Sequence, residues 1–143
     1  MWGTASPNSV NENRILKNAC REISAARQLS DDQKQTLTDV FQKRFQQALD
    51  LADRGNVQKY QFSPSGRTLW VVKGRGRDYQ VLPDNSFCTC DDYYFRVMEN
   101  KKQLCYHVIA QSLSEATGKY LVTEMTDARY SEITSRLTPI VSH

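Results

Sequence analysis

At 143 residues the chain has room for one domain, or one domain with an appended helical arm. No stretch is long and apolar enough to cross a membrane, and no charged segment followed by an apolar run near Met1 marks a secretion signal. The formal net charge of +3 selects no class of partner. Its distribution says more: Val57 to Arg77 holds five basic residues (Lys59, Arg67, Lys73, Arg75 and Arg77) and no acidic one, while the remainder holds 14 basic and 16 acidic side chains.

The first predicted element is a helix. Ser9 followed three residues later by Glu12 is a capping-box signature, and Ile15, Leu16, Ala19, Cys20, Ile23 and Ala26 mark one face. Ser30 and Gln33 repeat the signal ahead of Leu37, Val40, Phe41, Phe45, Ala48, Leu49 and Ala52, with Gly55 as the stop. A short polar turn joins the two helices, which predicts a helical hairpin whose apolar faces meet.

From Val57 the period changes. Apolar runs at Tyr60 to Phe62, Leu69 to Val72 and Tyr79 to Leu82 are separated by Ser63-Pro64-Ser65-Gly66 and by Gly74-Arg75-Gly76. Those separators read as hairpin turns, so the expected product is a three-stranded antiparallel meander. Pro83 to Ser86 then turns the chain into a short fourth strand carrying Cys88 and Cys90. Tyr93, Tyr94, Val97 and Met98 fall at helical spacing, and Asn100-Lys101-Lys102 is a polar loop. A helix from about Tyr106 to Thr117 follows, stopped by Gly118, and a last amphipathic helix spans about Asp127 to Leu137. The fold class is therefore α+β: an N-terminal helical hairpin over 1–55, a small β-meander with a metal finger over 56–118, and a C-terminal helical segment over 119–143.

The chemistry lies in Cys88, Cys90, Cys105 and His107, a C-x-C-(14)-C-x-H arrangement. Three thiols and one imidazole in two tight pairs suit a tetrahedral Zn²⁺ closed to solvent. In a strand residues i and i+2 point the same way, so Cys88 and Cys90 can present both sulfurs to one ion, whereas a helix would turn them apart. Cys105 is then expected just before a helix whose first turn supplies His107. A disulfide is the competing reading. Two strand steps put the Cα atoms of Cys88 and Cys90 roughly 6.6 Å apart, at the upper edge of disulfide geometry, while a bridge to Cys105 or Cys20 stays open on spacing alone. Iron-sulfur ligation is the minor alternative.

Cys20 sits in an apolar helical pattern and reads as a small buried hydrophobe, and His143 is terminal, which makes it a poor ligand. Asp91 and Asp92 read as the charged start of a helix. An enzyme fits poorly. Four protein ligands leave zinc no open position, no glycine-rich nucleotide loop is present, and no glutamate stands beside His107 as a zinc deaminase requires.

C-x-C, a helix, then C-x-H at the end of a small meander resembles the SWIM zinc-finger family. The likeness extends to Ala48-Leu-Asp-Leu-Ala-Asp-Arg54, Ser63-Pro-Ser-Gly-Arg67 and Leu104-Cys-Tyr-His-Val-Ile-Ala110, which are similar to the small SWIM subunits of Shu-type recombination complexes. It covers about residues 45 to 137. The resemblance implies a nuclear, non-enzymatic adaptor that pairs with a RecA-like recombinase paralogue and supports recombinase filaments on single-stranded DNA. It also implies a packing or partner role for Ala110, three residues after the histidine. Tyr106 departs from the family, where a basic residue is common at that place. The alternative is direct, weak and salt-sensitive nucleic-acid binding through Arg67, Lys73, Arg75 and Arg77, set among glycines that let a backbone approach.

Overall fold

The computed structural model describes the backbone of residues 7–74, 78–82, 87–88 and 104–137, and the side chains of 12–74, 78–82 and 104–137. Three helices come first: α1, Pro7–Ala26; α2, Asp31–Phe41; and α3, Lys43–Asp53. α1 opens on Pro7, where the missing N–H is one the first turn would leave unbonded anyway. Ser9 therefore lies inside the helix rather than at the N-cap expected for it. The second capping box is formed. The Ser30 amide donates to Gln33 Oε1 at 2.8 Å, and the Gln33 amide donates to Ser30 Oγ at 3.1 Å. Asp31 and Asp32 fill the first turn of α2, where the helix dipole favours negative charge.

The single helix expected from Leu37 to Ala52 is broken at Gln42, whose backbone takes φ 56° and ψ −126°. Such a conformation costs a non-glycine residue about 1–3 kcal/mol. Burial offsets it: Leu37 and Phe41 before the break, and Phe45 and Ala48 after it, all enter the same core. Each such large side chain contributes about 1.5–3 kcal/mol on burial.

The strands are β1, Val57–Ser63; β2, Thr68–Lys73; β3, Asp78–Leu82; β4, Phe87–Cys88; and β5, Leu121–Thr126, with helix α4, Tyr106–Thr117, ahead of β5. They form one sheet in the order β4-β3-β2-β1-β5. β1, β2 and β3 make the expected antiparallel meander, and β4 continues it. β5 is an addition. It lies parallel to β1, from Gln58↔Leu121 to Ser63↔Thr126, so the sheet is mixed and the segment after Gly118 opens on a strand. A 3₁₀ turn at Asp127–Arg129 leads into the last helix, α5, Tyr130–Leu137.

β2 shows how the sheet divides the core. Four consecutive residues, Leu69 to Val72, are buried, which is the mark of a strand covered on both faces. Trp70 and Val72 face the larger cluster, with Leu16, Ile23, Phe41, Phe45, Ile109 and Leu113. Leu69 and Val71 face the smaller one, with Phe62, Ile133 and Leu137 of α5. Successive side chains of a strand point to opposite faces, so one apolar run serves both layers. α4 is the centre of the larger layer, packing on α3 and α1 on one side and on the sheet on the other. It spans Tyr106 to Thr117 as predicted and ends on Gly118 at φ 78°.

Candidate metal centre

Cys105 occupies the N-cap of α4 in an extended conformation, φ −85° and ψ 164°, and is 1% exposed. His107 follows in the first turn, 3% exposed. Two tyrosine rings lie against it, tilted by 32° and 38°: the Tyr106 centroid is 4.2 Å away and that of Tyr79, on β3, 4.4 Å. Tyr106, the departure from the family's common basic residue, thus packs against the imidazole. Tyr79 has no sequence signal beyond an apolar strand pattern, because the contact joins separate elements.

Among the described residues, neither Nδ1 nor Nε2 of His107 has a hydrogen-bond partner, although both are buried. A neutral imidazole carries one donor and one acceptor. Leaving a buried polar group unpaired costs about 1–3 kcal/mol. Ligation by one ring nitrogen meets one of these demands, and a buried thiol two residues earlier supplies a second donor of the soft type zinc selects. Cys105 and His107 therefore fit as two of the ligands of a zinc ion.

β4 carries Cys88, the first of the other pair. Cys88 is the register partner of Val81, which is fully buried in the cluster that also holds Cys105. β4 also borders α4. Cys90 lies outside the described residues, as do Asp91, Asp92, the helix expected after them and His143. Among the described residues no group of three or more potential ligands is assembled; the side chains of Cys88 and Cys90 lie outside them.

The approach to Cys105 is held from the N-terminal helices. Arg44 of α3 donates from Nη1 to the Leu104 carbonyl at 2.7 Å, and its two terminal nitrogens pair with Glu12 of α1 at 3.0 and 2.6 Å. Glu12 is 3% and Arg44 7% exposed. The pattern of apolar residues on α1 gives no hint of this carboxylate, which reads as part of a cap.

Ala110 is fully buried in the larger cluster, beneath the surface of α4. Arg67 and Lys73 are exposed but stand at opposite ends of β2, roughly 20 Å apart at about 3.3 Å per strand residue. Arg67 lies over the Tyr130 ring, 4.8 Å from its centroid. Arg75 and Arg77 lie outside the described residues. Thus the structure does not gather Arg67 and Lys73 into one patch.

Cys20 behaves as the small core residue expected. It packs against the larger cluster, and its thiol donates to the Ser112 carbonyl at 3.5 Å. Burial, and secondarily the Glu115 carboxylate, push its pKa from 9.0 up to about 12. Because the thiolate is the reactive form, Cys20 should resist iodoacetamide at about pH 8 in the folded protein and react once guanidinium unfolds it. Peptide mapping by mass spectrometry checks this, and rapid labelling of folded protein would contradict it.

No protein-family model matches the chain. It is 34% identical over 125 residues to zinc finger SWIM domain-containing protein 7 of Danio rerio, spanning 86% of this chain and 89% of the relative. It is 31% identical over 129 residues to the homolog of that protein from Dictyostelium discoideum, spanning 89% of this chain and 82% of the relative. Its identity to the Homo sapiens protein of the same name is 26% over 121 residues, 83% of this chain and 86% of the relative.

Proposed function

Because the chain belongs to the family of zinc finger SWIM domain-containing protein 7, we propose that it is a non-enzymatic adaptor built around one structural Zn²⁺ held by Cys88, Cys90, Cys105 and His107. The observation that carries the zinc reading is the buried imidazole of His107, unpaired among the described residues at both nitrogens and two residues from a buried cysteine. Four protein donors complete a tetrahedral shell and leave the ion no position for substrate. The zinc then pins β4 to the start of α4, stabilising the scaffold rather than activating a reactant.

The adaptor pairs with a RecA-like recombinase paralogue in the nucleus and supports recombinase filaments on single-stranded DNA during homologous recombination. Support for a partner-dependent role comes from the surface. Leu121 and Val122, 56% and 50% exposed, leave apolar surface in water on both faces at the start of the edge strand β5. Co-expression with candidate recombinase paralogues, followed by mass determination of the purified species, tests the reading. A zinc-loaded complex of defined stoichiometry is expected. A zinc-loaded chain that stays monomeric with every such paralogue would end the adaptor assignment, and a folded chain free of zinc would end the metal assignment.

A further inference from the structure

We propose that Arg44 is a positioning residue of the metal centre, and that through it the docking of α1 and the affinity for zinc are linked. The inference rests on the zinc reading above. Three observations carry it. Arg44 Nη1 holds the carbonyl of Leu104, the residue immediately before Cys105. The same guanidinium is gripped by both carboxylate oxygens of Glu12. And the whole assembly is buried, with Arg44 also lying over the Phe41 ring at 5.2 Å.

A planar guanidinium is suited to this. Its fork meets a carboxylate with two parallel bonds, which fixes the orientation of the plane and hence the direction of the donor aimed at Leu104. Leu104 precedes an extended N-cap, and the peptide plane carrying its carbonyl leads directly into the Cα of Cys105. Holding that plane restricts the position from which Cys105 offers its sulfur and from which the first turn of α4 presents His107. Partners one shell out from metal ligands generally act in this way, and losing one lowers metal affinity by about 10- to 100-fold. The unusual feature here is the origin of the anchor: Glu12 belongs to α1, far from the ligands in the chain, so a segment with no ligand of its own contributes to the site. Linkage makes the effect reciprocal, and zinc binding must tighten the docking of α1 by the same factor.

The test separates positioning from general stability. Arg44→Met leaves Glu12 buried and uncompensated, whereas Glu12→Leu together with Arg44→Met removes both charges and leaves only the Leu104 carbonyl without its donor. Zinc affinity is measured by competition with a chromophoric chelator for the full-length wild type and the double variant. The Co²⁺-substituted proteins are compared by their visible ligand-field bands. Affinity reduced about 10- to 100-fold in a stably folded double variant, with altered Co²⁺ bands, is the expected result. Wild-type affinity and bands in that variant would overturn the proposal. If the double variant does not fold, Glu12→Gln with Arg44→Met carries the same comparison. A wild-type protein that binds no zinc would instead remove the metal reading itself, a separate outcome visible in the first titration.

Discussion

Replacing Cys105 with serine should abolish zinc binding and unfold most of the protein. Structural zinc contributes on the order of 10 kcal/mol or more to small zinc domains, comparable with or larger than the whole stability of a domain of this size. The loss should not stop at the β-rich half. Cys105 heads α4, and Val108, Ile109 and Leu113 of that helix share one apolar cluster with Leu16 of α1, Phe41 of α2 and Phe45 of α3. Metal analysis should find one zinc per chain in the wild type and none in Cys105→Ser, with the helical circular dichroism largely lost. Retention of the wild-type melting temperature by the variant would refute the assignment of Cys105.

Arg44→Met should be the most damaging substitution away from the ligands. It strands the Glu12 carboxylate in the interior, a situation that costs about 3–5 kcal/mol because a buried charge loses its partner. Adding Glu12→Leu should recover most of that loss, since a buried ion pair replaced by apolar groups of similar volume is often close to neutral. What stays lost is the donor to the buried Leu104 carbonyl, about 1–3 kcal/mol because the acceptor is left unpaired. Guanidinium denaturation of the two single variants and the double gives the coupling directly. Additive losses in the double variant would show that Glu12 and Arg44 do not act as a pair.

These two predictions differ in how far they can be read from the chain itself. The proposed metal motif is local chemistry: Cys105 and His107 stand out by type and spacing, and α4 announces both its ends, through the C-x-H pair at one and Gly118 at the other. The meander is legible for the same reason, because its turns contain Gly66 and its strands are apolar runs of strand length. Glu12 and Arg44 carry no such mark. Each is a charged residue within a helix, and only the packing of α1 and α3 around α4 makes the pair interior. The break at Gln42 is invisible for a related reason, since neither glycine nor proline stands there and the cause is the shape of the core on either side. β5 escapes notice because its burial alternates only weakly, with Leu121 and Val122 both exposed, and neither helical nor strand periodicity is satisfied. Its place beside β1 is a property of the tertiary fold.

That parallel pairing has a bearing on how the chain reaches its native state. Hairpins β1–β2 and β2–β3 can close as soon as their own residues are available, but β1 acquires its outer neighbour only when Leu121–Thr126 exists, after both cysteine pairs and all of α4. Bringing such distant segments together carries a loop entropy that grows with the logarithm of the intervening length, so non-local pairing is a late and slow event compared with turn closure. During synthesis β1 therefore emerges with one edge bare, and it stays bare until the ribosome has released the segment through Thr126. Zinc bound by the two proposed ligand pairs would shorten the effective loop between β4 and α4 before β5 arrives. On this account a shortage of metal would be felt first as aggregation of newly made chains through the open edge of β1, well before any loss from the pool of protein already folded.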